Sequence, residues 1–166
     1  MATWTIVRFP DPRLRTAADP VTAFDEDLRS FAADLLETMR AAPGIGITAP
    51  HIGVLKRVVV IELSAAEGVR TYVNPEIVWA SDERIRYQEG SISMPGVTEE
   101  VERHARIRVS CRDLTGAERV EDADGLLAIC LQHEIDQLDG IFWIQRLSRL
   151  RRDRLIKRYE KSLRAG

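Results

Sequence analysis

The chain has 166 residues, 45% of them hydrophobic and 30% charged, with a formal net charge of −2. That length and balance suit one soluble domain, residues 1–166, able to bury a core without disulfide staples, and exclude both a polyanion-binding basic protein and an acidic disordered tail. Cys111 and Cys130 match neither a disulfide framework nor a CxxC spacing, and no long apolar run or signal-like N-terminus is present, so a reducing, cytoplasmic setting without a membrane is expected.

The first twenty residues hold Pro10, Pro12 and Pro20 and no sustained periodicity, as expected of an arm lying on the domain surface. From Phe24 onward, Phe24, Leu28, Phe31, Leu35 and Met39 fall on one stripe, with Ala32 and Leu36 beside it and charged residues opposite, which predicts an amphipathic helix closed by Pro43-Gly44. Gly44-Ile45-Gly46-Ile47-Thr48-Ala49-Pro50 follows. Its glycines and proline disfavour helix and let backbone approach another group closely, so it is the first segment suited to a ligand.

Strands are predicted at Val58–Leu63, Thr71–Asn74, Ile77–Trp79, Val97–Val101, Ile107–Cys111 and Arg119–Val120, with Thr115-Gly116 as a hairpin-like turn. Leu126 to Leu138 reads as a helix apolar on nearly every side, hence central, and its Gln132, His133, Glu134 and Gln137 must find partners inside. Residues 146–166 read as a basic amphipathic helix with Leu155, Ile156, Tyr159 and Leu163 turned inward. Nine arginines and lysines there oppose only Asp153 and Glu160, so a positive end stands on an acidic body; it suits either a phosphate backbone or plain solvation.

His133-Glu134-Ile135-Asp136-Gln137 has the form of an HExxH helix, in which two histidines one turn apart bind a metal and the glutamate acts on its water, except that Gln137 stands at the second histidine. A lone buried histidine is also compatible with a hydrogen-bonded core residue. Cys130 and His133 share this helix, but their spacing alone does not make them a ligand pair.

Three segments, Gly44 to His51, Glu89-Gly90-Ser91-Ile92-Ser93 and Gln132 to Gly140, stand in the order and spacing of the bacterial peptide deformylase patterns GxGxAAxQ, EGCLS and QHExDH. With Pro10 to Arg15, Asn74-Pro75-Glu76 and Ala123 to Leu127, the resemblance extends over essentially all of the chain. It implies an α+β, peptide deformylase-like fold: mixed or antiparallel sheets around the buried HExxH-type helix, with an N-terminal amphipathic helix and a basic C-terminal helix. It implies removal of the formyl group from N-terminal methionine, by a divalent metal, Fe²⁺ or Zn²⁺, held by a cysteine and two histidines. Those ligand positions are Ser91, His133 and Gln137 here.

A neutral serine hydroxyl is a poor ligand beside a thiolate, and a glutamine carbonyl is a hard donor suited to calcium or magnesium, so tight transition-metal binding is not expected. His51 replaces the glutamine that bonds the developing oxyanion; its imidazole can donate an N–H or turn a lone pair to a cation. The resemblance further implies that Glu134 is the general base and that the Ile92 N–H is the second oxyanion donor. Glu89 and Arg103 would form a supporting ion pair. Gly46, Ile92, Leu126, Ile129, Cys130 and His133 would line a methionine pocket, while Ile45, Gly46 and Gly90 to Ile92 would pair with an extended peptide. The basic C-terminal helix would contact the ribosome.

Two functions follow. In one, metal-dependent deformylation is lost or strongly impaired and an N-terminal peptide or a ribosomal site is bound. In the other, a hydrolase of formyl or related amides uses a remodelled metal site on His51 and His133, or a Ser91 nucleophile.

Overall fold

The computed structural model describes residues 2–166. Helix α1 spans Glu26–Ala41, and the Asp25 side chain caps it by accepting from the Leu28 N–H. Of its stripe, Leu28, Ala32, Leu35 and Met39 are buried, and Phe24, Phe31 and Leu36 pack partly buried against the same cluster.

Five strands form one antiparallel sheet in the order β1 (Gly46–Thr48), β2 (Val58–Ile61), β3 (Arg70–Ala80), β6 (Arg106–Arg112) and β7 (Glu118–Asp124). Strands β4 (Arg84–Ser91) and β5 (Met94–His104) form a separate antiparallel hairpin. Every residue of β2 is buried because both of its faces are covered: Val58 and Val60 pack with α1, and Val59 and Ile61 with helix α2 (Gly125–Leu138). Helix α3 (Arg149–Ala165) seats Leu155 and Tyr159 against β5, Phe142 and Trp143.

The α+β class and the central helix agree with the expectation; several local features differ. Thr71–Asn74 and Ile77–Trp79 belong to one strand, interrupted by register shifts beside Asn74, whose φ is 50°. Strand β4 was not foreseen, because its residues are mostly charged or polar and exposed and its apolar alternation is limited to Ile85 and Tyr87. The last helix begins at Arg149 rather than residue 146, since Trp143–Arg146 forms a separate 3-10 turn and Ser148 caps α3. Leu163 is 60% exposed, not inward, because the end of α3 runs past the body of the molecule. Among the described residues, no helix is long and apolar enough to cross a membrane.

Candidate active site

A cavity of about 410 Å³ opens between the N-terminal end of β1, the β4–β5 hairpin and α2. Its walls include Ile45 and Gly46 from the glycine-containing segment, and Glu89, Gly90, Ser91 and Ile92 from the end of β4 and the turn after it. Leu126, Ile129, Cys130, His133 and Glu134 come from α2, and His51 from the 3-10 turn after β1. The sequence-predicted groove residues therefore converge. Gln137 is not among the cavity walls.

Burial of α2 on all sides forces its polar side chains into specific bonds. Gln132 accepts from the His104 N–H and donates to the His104 carbonyl, pinning α2 to the end of β5. His133 bonds Glu89 through Nδ1 (2.9 Å), leaving its Nε2 3.9 Å from Glu134 Oε1. Gln137 donates its amide to the Leu14 carbonyl (2.8 Å), joining the helix to the N-terminal arm. Glu134 is the exception: its Oε1 is buried and has no partner.

Behind His133 runs a line of charges. Arg103 makes two bonds of 2.8 Å to Glu89 and one of 2.7 Å to Asp136, and Asp136 accepts two more from Arg146. Desolvation raises the Glu89 carboxyl, but the Arg103 and His133 bonds outweigh it and hold its pKa at about 2. Burial works against a charged His133, yet its bond to Glu89 and the charges of Glu134 and Glu89 raise its pKa above the ordinary histidine value. Glu134 has no compensating hydrogen bond. Burial pushes it up to about 7, with His133 opposing and Glu89 adding to the rise.

Gly46 answers to Glu134. A Cβ built at residue 46 would collide with the Glu134 carboxylate, so the bare α-carbon of Gly46 leaves that carboxylate its present place. His51, fully enclosed, accepts the Thr48 backbone N–H at Nδ1 (2.9 Å), with the Thr48 hydroxyl at the same distance. Burial, with the His133 charge behind it, pushes its pKa down to about 3, and its Nε2 has no partner.

These residues do not fit the divalent metal that the sequence resemblance implies. The Gln137 amide is held by Leu14 and the Ser91 hydroxyl accepts from the Ser93 N–H, so of the three ligand positions only His133, oriented through Nδ1 by Glu89, keeps a ring nitrogen fit for a metal. Among the described residues, no three His, Cys, Asp or Glu side chains are gathered to hold an ion, so the remodelled site on His51 and His133 lacks a third such ligand. Cys130 lines the cavity as a buried thiol whose pKa burial pushes up to about 12, which opposes the thiolate that a metal requires. Ser91 has no hydrogen bond to either histidine, so the nucleophile–base pairing needed for a serine mechanism is absent among the described residues.

Thr48, Asp136, Arg146 and Leu14 were not foreseen as supports of the site. Thr48 stands three residues before His51, the spacing of a capping box, and Asp136 is a second acid, two residues after Glu134, in a largely buried helix; both are signals a sequence carries. The Leu14 carbonyl carries none, because any residue has one.

A family model described as polypeptide deformylase matches residues 3–153. A peptide deformylase-like protein of Brucella melitensis biotype 1 is 74% identical over 156 residues, covering 94% of this chain and 95% of that one. A peptide deformylase of Phenylobacterium zucineum is 47% identical over 170 residues and matches over 100% of both chains. The crystal structure of a peptide deformylase from Legionella pneumophila is similar with a TM-score of 0.93 at 38% identity, over 99% of this chain and 97% of that one. That of the Ehrlichia chaffeensis enzyme in complex with actinonin is similar with a TM-score of 0.89 at 37% identity, over 98% of both.

Proposed function

The chain belongs to the polypeptide deformylase family, and within it we propose a binding role: the cavity takes a peptide N-terminus, formyl-methionyl or related, while metal-dependent deformylation is lost or strongly reduced. The observation that carries this reading is the commitment of Gln137 to the Leu14 carbonyl, outside the cavity. With its amide nitrogen held by the Leu14 carbonyl, the Gln137 side chain is oriented by the N-terminal arm rather than lining the cavity, and its uncharged Oε1 is a hard donor poorly matched to Zn²⁺ or Fe²⁺. Ser91 supports the reading from the other side of the site, because a neutral hydroxyl does not replace a thiolate.

The apolar walls, with Ile45 and Gly90 exposed at the rim, suit an extended peptide with a hydrophobic first side chain. Helix α3 supplies a second contact in this reading, with a ribosomal phosphate surface. Arg149 is 89% exposed in its side chain, and Arg154, Lys157, Lys161 and Arg164 are exposed along the same helix. Free Cys111 and Cys130 suit the reducing cytoplasm, where that partner resides.

The test is elemental analysis of protein purified without oxygen or chelators, together with calorimetry and hydrolysis assays on a formyl-methionyl tripeptide. Hydrolysis is followed before and after addition of Fe²⁺, Ni²⁺, Co²⁺ and Zn²⁺. Metal far below one ion per chain, saturable peptide binding and no turnover are expected. A stoichiometric ion with turnover overturns the loss of activity, and absence of peptide binding overturns the groove.

A further inference from the structure

We propose that the free edge of β7 is a docking surface for a second protein, which adds to the sheet an extended segment carrying lysine or arginine at alternate positions. The inference does not rest on the peptide reading of the cavity. Strand β1, at the opposite edge of the same sheet, borders the cavity, whereas β7 lies on the far side of β2, β3 and β6.

Strand β7 pairs with β6 alone, residue for residue from Arg106–Asp124 to Arg112–Glu118 and without a bulge. The N–H and C=O groups along its other margin bond to no other part of the described residues. An unpaired margin seven residues long is a template for one more strand.

The side chains decide which strand it accepts. Alternation along β7 turns Ala123 into the cluster around α2 and leaves Glu118, Val120, Asp122 and Asp124 on the solvent face. On that face β6 sets Arg112, Ser110, Arg108 and Arg106 directly opposite them. A column of bases thus lies against a column of acids, joined by the Arg108–Asp122 (2.8 Å) and Arg112–Glu118 (3.2 Å) ion pairs. The arginines engage these acids from one side only, and the Asp122 and Glu118 side chains stay 70% and 81% exposed. Opposite charges across neighbouring strands attract and like charges repel, so the next column in the series is a cationic one. The β7 edge of a second copy would set acid against acid, and a phosphate backbone meets the same repulsion. An extended cationic protein segment meets neither obstacle. Beside Val120, 66% exposed, it is expected to carry a β-branched residue.

The end of the acidic column is shaped for one of these cations. A cavity of about 370 Å³ lies beside Asp124, walled also by Trp79, Arg108 and Asp122. Arg106, the cross-strand neighbour of Asp124, gives its guanidinium to Glu83 instead (2.8 Å), and the Asp124 side chain does not cap α2. A carboxylate without a partner next to a half-exposed indole suits a lysine, whose stem lies on the ring while its ammonium reaches the acid.

The test titrates the isotope-labelled full chain, followed by nitrogen–proton NMR, with the capped peptide Lys-Thr-Lys-Thr-Val-Thr-Lys. In antiparallel pairing its lysines stand opposite Asp124, Asp122 and Glu118 and its valine opposite Val120. Amide shifts centred on β7, and slowed hydrogen exchange at every second β7 N–H, are expected. Two control peptides should bind about tenfold more weakly or not at all: one with glutamate in place of lysine, and one with every backbone nitrogen methylated, which keeps the charge and loses the donors. The Glu118→Lys, Asp122→Lys double variant, altered only at exposed side chains, should exchange the preference and take the glutamate peptide. No binding of the lysine peptide, equal binding of the methylated one, or shifts centred on the cavity or on α3 overturns the proposal.

Discussion

Gln137, one helical turn beyond His133 on α2, donates its side-chain amide to the backbone carbonyl of Leu14, 2.8 Å away and 123 positions earlier in the chain. Both groups are buried, so the bond closes the N-terminal arm over the central helix and satisfies a carbonyl that water does not reach. Gln137→Ala should therefore destabilise the fold by about 1–3 kcal/mol, the penalty of an unsatisfied buried group. Thermal unfolding should fall by about 2–4 °C for each kcal/mol. The variant carrying Ser91→Cys, Gln137→His and His51→Gln loses the same bond but gains a thiol and a second imidazole. It should unfold earlier than wild type with chelator and later with added Zn²⁺, a difference read directly in paired melting curves.

Arg103 sustains two buried carboxylates at once, Glu89 and Asp136, and its own side chain is 3% exposed. Arg103→Ala leaves both acids without that cation and should cost about 3–5 kcal/mol in urea denaturation. Arg103→Lys should rescue little, since an ammonium cannot reproduce the planar fork that reaches Glu89 through two nitrogens and Asp136 through a third.

Gly46 and Glu134 occupy neighbouring space on facing elements, and a methyl group at residue 46 meets the Glu134 carboxylate. Gly46→Ala should destabilise the fold by about 1 kcal/mol, the low end for an overpacked site, because the Glu134 carboxylate that it meets ends a flexible side chain and can turn aside. In the Gly46→Ala, Glu134→Ala double variant the overlap is gone, so the combined loss should be smaller than the sum of the single losses. Strict additivity would show that the two residues do not press on each other.

Burial, with the charges of Glu134 and Glu89 behind it, pushes the Cys130 thiol up to about 12. The unfolded chain ionises a thiol near about 8.5. A folded pKa raised above the unfolded one means that the stabilisation is complete below about pH 8.5 and drains away as pH rises towards the folded value. By about pH 10 the loss should reach about 2 kcal/mol. Cys130→Ala should remove that part of the decline in denaturation curves taken at pH 8 and pH 10. Alkylation of native Cys130 at pH 8 should be slow until the chain is unfolded.

The fold and the walls of the site were largely legible as residue pattern. The stripe of α1 and the all-round apolarity of Leu126 to Leu138 depend on helical period alone, and the glycines at 44 and 46 announced a close approach before its partner was known. Strand β4 escaped this kind of reading because its residues gain their place by pairing with β5 rather than by burying an apolar face.

By itself the sequence determined the family, the order of the elements and the replacement of two donors by Ser91 and Gln137. Only the tertiary structure decided what those residues do instead. That Gln137 turns to Leu14, that the Thr48 N–H turns the His51 Nδ1 lone pair towards it, and that Glu134 Oε1 is buried without a partner are facts of hydrogen-bond direction. Direction depends on where distant backbone comes to lie. A residue type states which bonds a side chain is able to make, and the folded surroundings choose among them.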